Sequence, residues 1–407
     1  MKIRTLFVTL ALGMLLSACG AGVLQLATGG IGGTGISSGS ITAFGSIFVN
    51  GVEYDVGQAT FTRNGMAAGG QGDYSVGEYV TVKGTVNPDG VTGTATEVTF
   101  SSELNGTVTG VSTDNVSIQV LGQAVRTNAL TVLSGFKQLT GLLAGNVVEV
   151  SGVRDAQGVL VASNIRLDQG NYQPGETQEL KGSVLQVDAL HSTVLIGGLS
   201  VDYSGAALIG FPAGAPEAGQ YVRVRSVRAV DGARLVASEL ELQSASHQFA
   251  EGNRMELEGV ITRFVSVNDF AVNSIPVVAN AGTQFEHGSA TQLALDALVE
   301  VDGQINANGA IVAEEVSIKE SVSSGIDELS GNITAINPSA QEFTLAGVAI
   351  IVDSSTIWED DSAYDVRQMG FPYLNVGDFV EVNVKPLGNG KLLALRVKRG
   401  DREEGEN

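Results

Sequence analysis

The sequence predicts an all-β protein: a tandem of about five small OB-like, five-stranded β-barrel repeats behind a signal peptide and a flexible tether. Three observations predict it. A Gly-led opening motif recurs at Gly39, Gly106, Gly182, Gly259 and Gly331. Apolar residues alternate at the strand period of two, as in Val80/Val82, Val148/Val150 and Val299/Val301. Turn dipeptides punctuate the units, from Asn50-Gly51 and Asp89-Gly90 to Asn308-Gly309 and Asn389-Gly390.

Composition narrows the class. Of 407 residues 43% are hydrophobic and only 16% charged, which excludes disorder throughout. Fifty-three glycines without a Gly-X-Y period exclude collagen. Acids outnumber bases 44 to 23, a net charge of −21 that repels phosphate backbones, so no nucleic-acid partner is expected. One cysteine and three histidines (His191, His247 and His287) provide neither a disulfide framework nor a soft-metal site.

The chain opens with Lys2 and Arg4, an apolar stretch from Leu6 to Leu16, then Ser17-Ala18-Cys19. This is the layout of a secretory signal, too short for a good membrane-spanning helix. Leu16-Ser17-Ala18-Cys19 resembles the lipobox of bacterial lipoproteins. The resemblance implies cleavage before Cys19 and lipidation of that residue. Gly20, in place of an aspartate, resembles the Gram-negative lipoproteins that go to the outer membrane, which implies that location, facing the periplasm or the cell surface. Residues 1–18 are therefore expected to be a signal peptide, 19–37 a Gly-rich tether, and the membrane a partner through the lipid anchor.

The five units follow in order: 38–103, 104–170, 179–243, 254–319 and 328–398. Each opens on the glycine motif. In the first, Ile47–Tyr54 holds Asn50-Gly51 between alternating strands, the strongest short hairpin signal. That hairpin pairs Val49 with Val52 and Ile47 with Tyr54, and turns Phe48 outward to pack on a neighbouring unit. A late motif follows, from Gly77-Glu78-Tyr79-Val80 in the first unit to Gly377-Asp378-Phe379-Val380 in the fifth. Each unit closes on an alternating strand marked by Ala95, Ala162, Ala237, Ala313 or Ala394. Five strands leave two open edges, which closure into a barrel removes. Units of about 70 residues are long for a solenoid rung, so separate barrels are expected rather than sheets shared between units. The charged end, 399–407, is expected to be a disordered tail.

The run from Gly30 to Tyr54 and the Val-Glu-Val-x-Gly elements at Val148–Gly152 and Val299–Gly303 resemble bacterial proteins carrying domain of unknown function 5666. The resemblance implies a β-rich repeat module of exported proteins. It brings no activity and no catalytic residues.

Motifs that suggest chemistry fail on context. Gly30-x-Gly32-x-x-Gly35 lacks the strand and helix of a dinucleotide site, and Gly35-x-Ser37-x-Gly39 lacks the α/β turn of a nucleophile elbow. Arg223 and Arg225 share one strand face and read as partners of neighbouring acids. Glu149, Glu300 and Glu381 recur at alternating strand positions that suit a solvated face. The fifth unit carries an enlarged loop with the only tryptophan, Trp358, followed by Asp360, Asp361, Tyr364, Asp365, Phe371 and Tyr373. Trp358, Asp360, Asp361 and Asp365 form the candidate ligand or cation loop, with Ca2+ as the ion that carboxylates would take. A cap of packed aromatics is the favoured reading of the same residues. No catalytic residue and no other cofactor is expected. The expected function is a lipid-anchored, exported, non-enzymatic cell-envelope protein, structural or binding, with an envelope protein or polysaccharide as partner. The alternatives are a surface cation- or carbohydrate-binding protein and a carboxylate-based hydrolase.

Overall fold

Alternation of apolar and polar residues dictates the hairpins, and the hairpins close into barrels. The computed structural model describes residues 33–243, 249–286, 288–319, 326–387 and 390–401. The expected signal peptide, 1–18, and Cys19, His247 and His287 lie outside the described residues.

In the first unit the strands are β1 (Gly33–Phe44), β2 (Ile47–Val49), β3 (Val52–Asp55), β4 (Thr60–Arg63), β5 (Met66–Ala67), β6 (Tyr79–Val86) and β7 (Thr92–Phe100). The pairs β1–β2 and β2–β3 are antiparallel, β3–β7 parallel, β7–β6 and β6–β1 antiparallel, so five strands form a closed ring. The hairpin pairs Val49 with Val52 and Ile47 with Tyr54, as its Asn-Gly turn predicts. Asn50 and Gly51 both take positive φ. All four flanking residues are buried in the first core, while Phe48 packs on the fifth barrel's core. The short β4 lies parallel to the far half of β7, on the edge that β3 occupies in the near half.

The same ring order closes the other four units. In each, the third strand meets the last in parallel: Gln123–Arg126 on Leu160–Gln169, Leu199–Asp202 on Arg234–Val236, Ile275–Val278 on Ile311–Ile318, and Val348–Ile351 on Leu392–Gly400. The recurring Val-x-Val-x-Gly and Ala motifs meet across this ring. Gly84 sits opposite Ala95, Gly152 opposite Ala162 and Gly303 opposite Ala313, each at a β-bulge. A Cβ on Gly152 would stand 2.1 Å from the Val161 carbonyl oxygen, so only glycine lets the strand bend there. In the third unit the closing strand breaks into Arg234–Val236 and Glu239–Leu242.

Three sequence expectations need correction. The barrels are not separate: the first and fourth share one sheet and the second and third another, while the fifth has its own. The physical cause is the long first strand. Its C-terminal half pairs with β2, its N-terminal half with β6, and one edge of that half stays open until another barrel covers it. In the first and fourth barrels Gly35–Ser38 runs parallel to Arg254–Leu257. In the second and third, Leu104 and Asn105 pair antiparallel with Leu180 and Glu179. The expected tether, 19–37, is cut short because β1 begins at Gly33 and pairs with Val86. The expected tail, 399–407, loses Arg399 and Gly400 to the last strand. The second and third barrels share one core, the first and fourth keep separate ones, and Ala43 of the first belongs to the fifth barrel's core.

Candidate functional site

The fifth-unit loop is built from strand Ile357–Asp360, which runs parallel to Ile357's partner segment Arg396–Arg399 on the last strand. Alternation along it turns Trp358 into the core at 6% exposure, beside Met369, Phe371 and Leu374. Asp360 points to Arg399, whose Nε donates to Oδ1 at 2.9 Å while Nη2 bonds Oδ2. Ser362 Oγ and the Val366 N–H also donate to Asp360. Burial favours the neutral acid, but Arg399, Ser362 and Val366 outweigh it and hold Asp360 at about 2. Asp361 pairs with Lys398 at 2.9 Å, and Asp365 sits exposed on a left-handed turn. The candidate residues are therefore neighbours that face different partners. Among the described residues no group of three or more His, Cys, Asp or Glu side chains is placed to hold a metal ion. Tyr364 stays exposed, with Arg399 5.6 Å from its ring centroid.

The dense chemistry lies between barrels. At the joint of the first and second, Arg63 bonds both carboxylate oxygens of Glu78 and reaches Glu149 across the boundary. Arg166 approaches Glu149 from its own barrel, and Asn64 adds a further donor. Glu149 is 2% exposed. Burial opposes its charge, yet Arg63 and Arg166 together hold its pKa below the ordinary carboxyl range. The expected solvated face at Glu149 and Glu300 is thus a correction. Alternation does turn them out of their own barrels, but the adjoining barrel covers Glu149, and Lys319 covers Glu300 at 3.0 Å. Glu381, on the fifth barrel, remains half-exposed.

Similar clasps join the rest. From the third barrel to the segment that links the first and second, Lys181 Nζ donates to Ser101 Oγ at 2.9 Å, and the Tyr221 hydroxyl bonds Glu103. Arg223 and Arg225 meet Glu239, Glu241 and Glu179, the acids their strand face called for. The fifth barrel holds the first through Arg367, which donates to the carbonyls of Gln71 and Tyr74 and covers the Phe44 ring at 4.5 Å. At the first–fourth joint Ser37 Oγ donates to Glu256 Oε2 at 2.8 Å and Tyr79 Oη to the Glu258 carbonyl at 2.6 Å.

Sequence reasoning missed Arg63, Arg399 and Glu256. A signal existed for the last: Glu256 and Glu258 alternate with the core residues Met255 and Leu257, and Glu300 and Asp302 do the same on the neighbouring strand. Four acids on one face of two paired strands need a cover or a counter-charge.

Comparison with known proteins adds a family. The description "Domain of unknown function (DUF5666)" matches residues 36–99, 105–166, 258–317 and 330–398. The third barrel falls outside these matches although it closes in the same strand order. No curated protein matches. Among solved structures, "drosophila Unr CSD456" is similar at 13% identity, covering 55% of this chain and 97% of that one, with a TM-score of 0.14. A superposition that loose carries no argument.

Proposed function

We propose a function from one premise: this chain belongs to the DUF5666 family, as tandem β-barrel repeats. It acts as a lipid-anchored, non-enzymatic scaffold of the cell envelope, exported and held at the outer membrane through Cys19. The observation that carries the reading is the use of charge. The best-buried ionic groups described are committed to joints between barrels or to closing one barrel, as Arg63–Glu149 and Arg399–Asp360 are. Such clasps fix the relative positions of barrels, which is what a rigid presenting surface requires. The lipobox residues Leu16–Cys19 support the anchor.

Cys19→Ala tests the anchor. Each buried methylene of an acyl chain contributes about 0.8 kcal/mol to membrane binding, and among the described residues no helix is long and apolar enough to cross a membrane. The variant is expected in the soluble fraction and the parent in the membrane fraction. Equal membrane association of both refutes the anchor.

A second reading, carbohydrate binding, rests on a groove in the fourth barrel. It has a volume of about 560 Å³ and is lined by Asn280, Gln284, Gln304, Asn306 and Glu314. Amide side chains suit a polyhydroxyl ligand, and the volume lies in the range of small-molecule sites. Retention of the Cys19→Ala protein on envelope polysaccharide, lost on Gln284→Ala with Gln304→Ala, would favour this reading over a purely structural scaffold.

A further inference from the structure

Barrels one and four are far apart in sequence, yet they join through parallel strands. At that joint Glu256 lies directly opposite Asp302, and Glu258 opposite Glu300. Like charges placed directly across a sheet repel. The local cations go elsewhere: Arg254 pairs with Asp302 at 2.7 Å and with Glu314 at 2.9 Å, and Lys319 with Glu300. Glu256 itself has no cation within ion-pair distance among the described residues and is 5% exposed. From the first barrel it receives only the neutral Ser37 hydroxyl, which in turn accepts from Asn50 Nδ2 at 3.2 Å. Its Oε1 is buried with no hydrogen-bond partner in the protein. Glu256 also lines a cavity of about 20 Å³ with Asp302, Arg254 and the buried Tyr54.

An ionised carboxylate in this setting would keep one buried oxygen without a protein donor and face like charge across the sheet. A carboxylic acid carries no charge to desolvate and none to be repelled across the sheet. We propose that Glu256 carries a proton in the joined molecule and acts as a proton-gated latch between the first and fourth barrels, which ionisation releases.

The electrostatics agree. Burial, then the Glu300 carboxylate, push Glu256 well above the ordinary carboxyl range, against Ser37 and the more distant Lys319. Burial lifts Asp302 to about 6 despite Arg254, and lifts Glu258 as well. Glu315, facing Asp302 from the next strand, moves the same way. The sign follows from linkage. The joined state holds the proton more tightly than a separated strand, where Glu256 would titrate near its ordinary value. The latch is at full strength below that value and weakens as pH rises towards the joined-state value. The weakening is up to about tenfold per pH unit for one group.

Hydrogen exchange on the full chain tests this. Protection of residues 35–38 and 254–257 is compared with that at the second–third joint, 104–105 and 179–180, at about pH 5 and about pH 8, corrected for intrinsic exchange. The parent should lose about tenfold or more protection at the first–fourth joint relative to the reference joint. Glu256→Gln, neutral at every pH, should lose less protection between the two pH values than the parent, because only its acidic neighbours then titrate there. Asp302→Asn, which removes a neighbouring negative charge, should move the parent's transition to lower pH. A parent whose joint ignores pH overturns the proposal whatever the variants do. So does an unchanged pH response in Glu256→Gln, or an unmoved transition in Asp302→Asn.

Discussion

Replacing Arg399 by alanine should unfasten the fifth barrel. Its side chain is 6% exposed and that of its partner Asp360 is 1% exposed. The guanidinium makes two parallel bonds to the carboxylate, a third to the Tyr373 carbonyl at 3.1 Å, and lies 3.5 Å from Asp378. Removing it leaves Asp360 charged and covered, a cost of about 3–5 kcal/mol for breaking a buried pair. Ser362 Oγ and the Val366 N–H, both at 2.6 Å, still serve Asp360 and place the expectation at the lower end. The assay is urea unfolding of the full chain followed by Trp358, the only tryptophan, which sits in the fifth core two residues from Asp360. With a slope of about 1–3 kcal/mol per M, a loss of about 3 kcal/mol lowers the midpoint by roughly 1–3 M. Arg399→Met with Asp360→Leu should recover most of it, because a covered apolar pair has no charge to strand. The acid limb provides a separate check. Asp360 is held at about 2, below its ordinary value, so the parent keeps this stabilisation above the ordinary value and loses it as pH falls towards 2. A loss under about 1 kcal/mol in Arg399→Ala, or a double variant no better than the single, would refute the reasoning, since a solvated pair behaves that way.

Two further outcomes follow from the same geometry. Arg63→Met should cost about 3 kcal/mol in thermal unfolding at about pH 7, because Glu78 then loses its paired cation and Glu149 keeps only Arg166; the deficit should shrink at about pH 4, because Glu149 is held below its ordinary value by both arginines and protonates more readily without Arg63, and an equal deficit at both pH values would count against it. Millimolar calcium, roughly the range of weak extracellular sites, should leave Trp358 fluorescence and the melting temperature unchanged, because Arg399 and Lys398 already occupy Asp360 and Asp361; a saturable change with calcium and not magnesium would show the loop to be a cation site after all.

What alternation and turn chemistry encode was legible in the chain. Asn50-Gly51 fixes the register from Ile47 to Tyr54 because the turn accepts positive φ, and a period of two then turns Phe48 away from its own core. The glycine of Val-x-Val-x-Gly and the alanine of the closing motif recur because they meet at one bulge in a tightly bent strand. The candidate loop was legible only as a cluster of residue types. Its packed tryptophan agreed with the cap, but its carboxylates depended on Arg399, assigned to the tail because the end of the chain is charged.

The sequence by itself therefore determined the all-β class, the five units and the hairpins within them, since these depend on local periodicity and on turns a few residues long. Tertiary structure alone decided which barrels share a sheet and where their charges go. Ser37 meets Glu256 across 219 residues, and Arg63 meets Glu149 across 86. A carboxylate that alternation turns outward looks the same in the sequence whether water or another barrel lies beyond it. Packing of the first barrel on the second made Glu149 an ionic clasp, and the open edge of the first strand, covered by the fourth barrel, left Glu256 buried without a cation among the described residues.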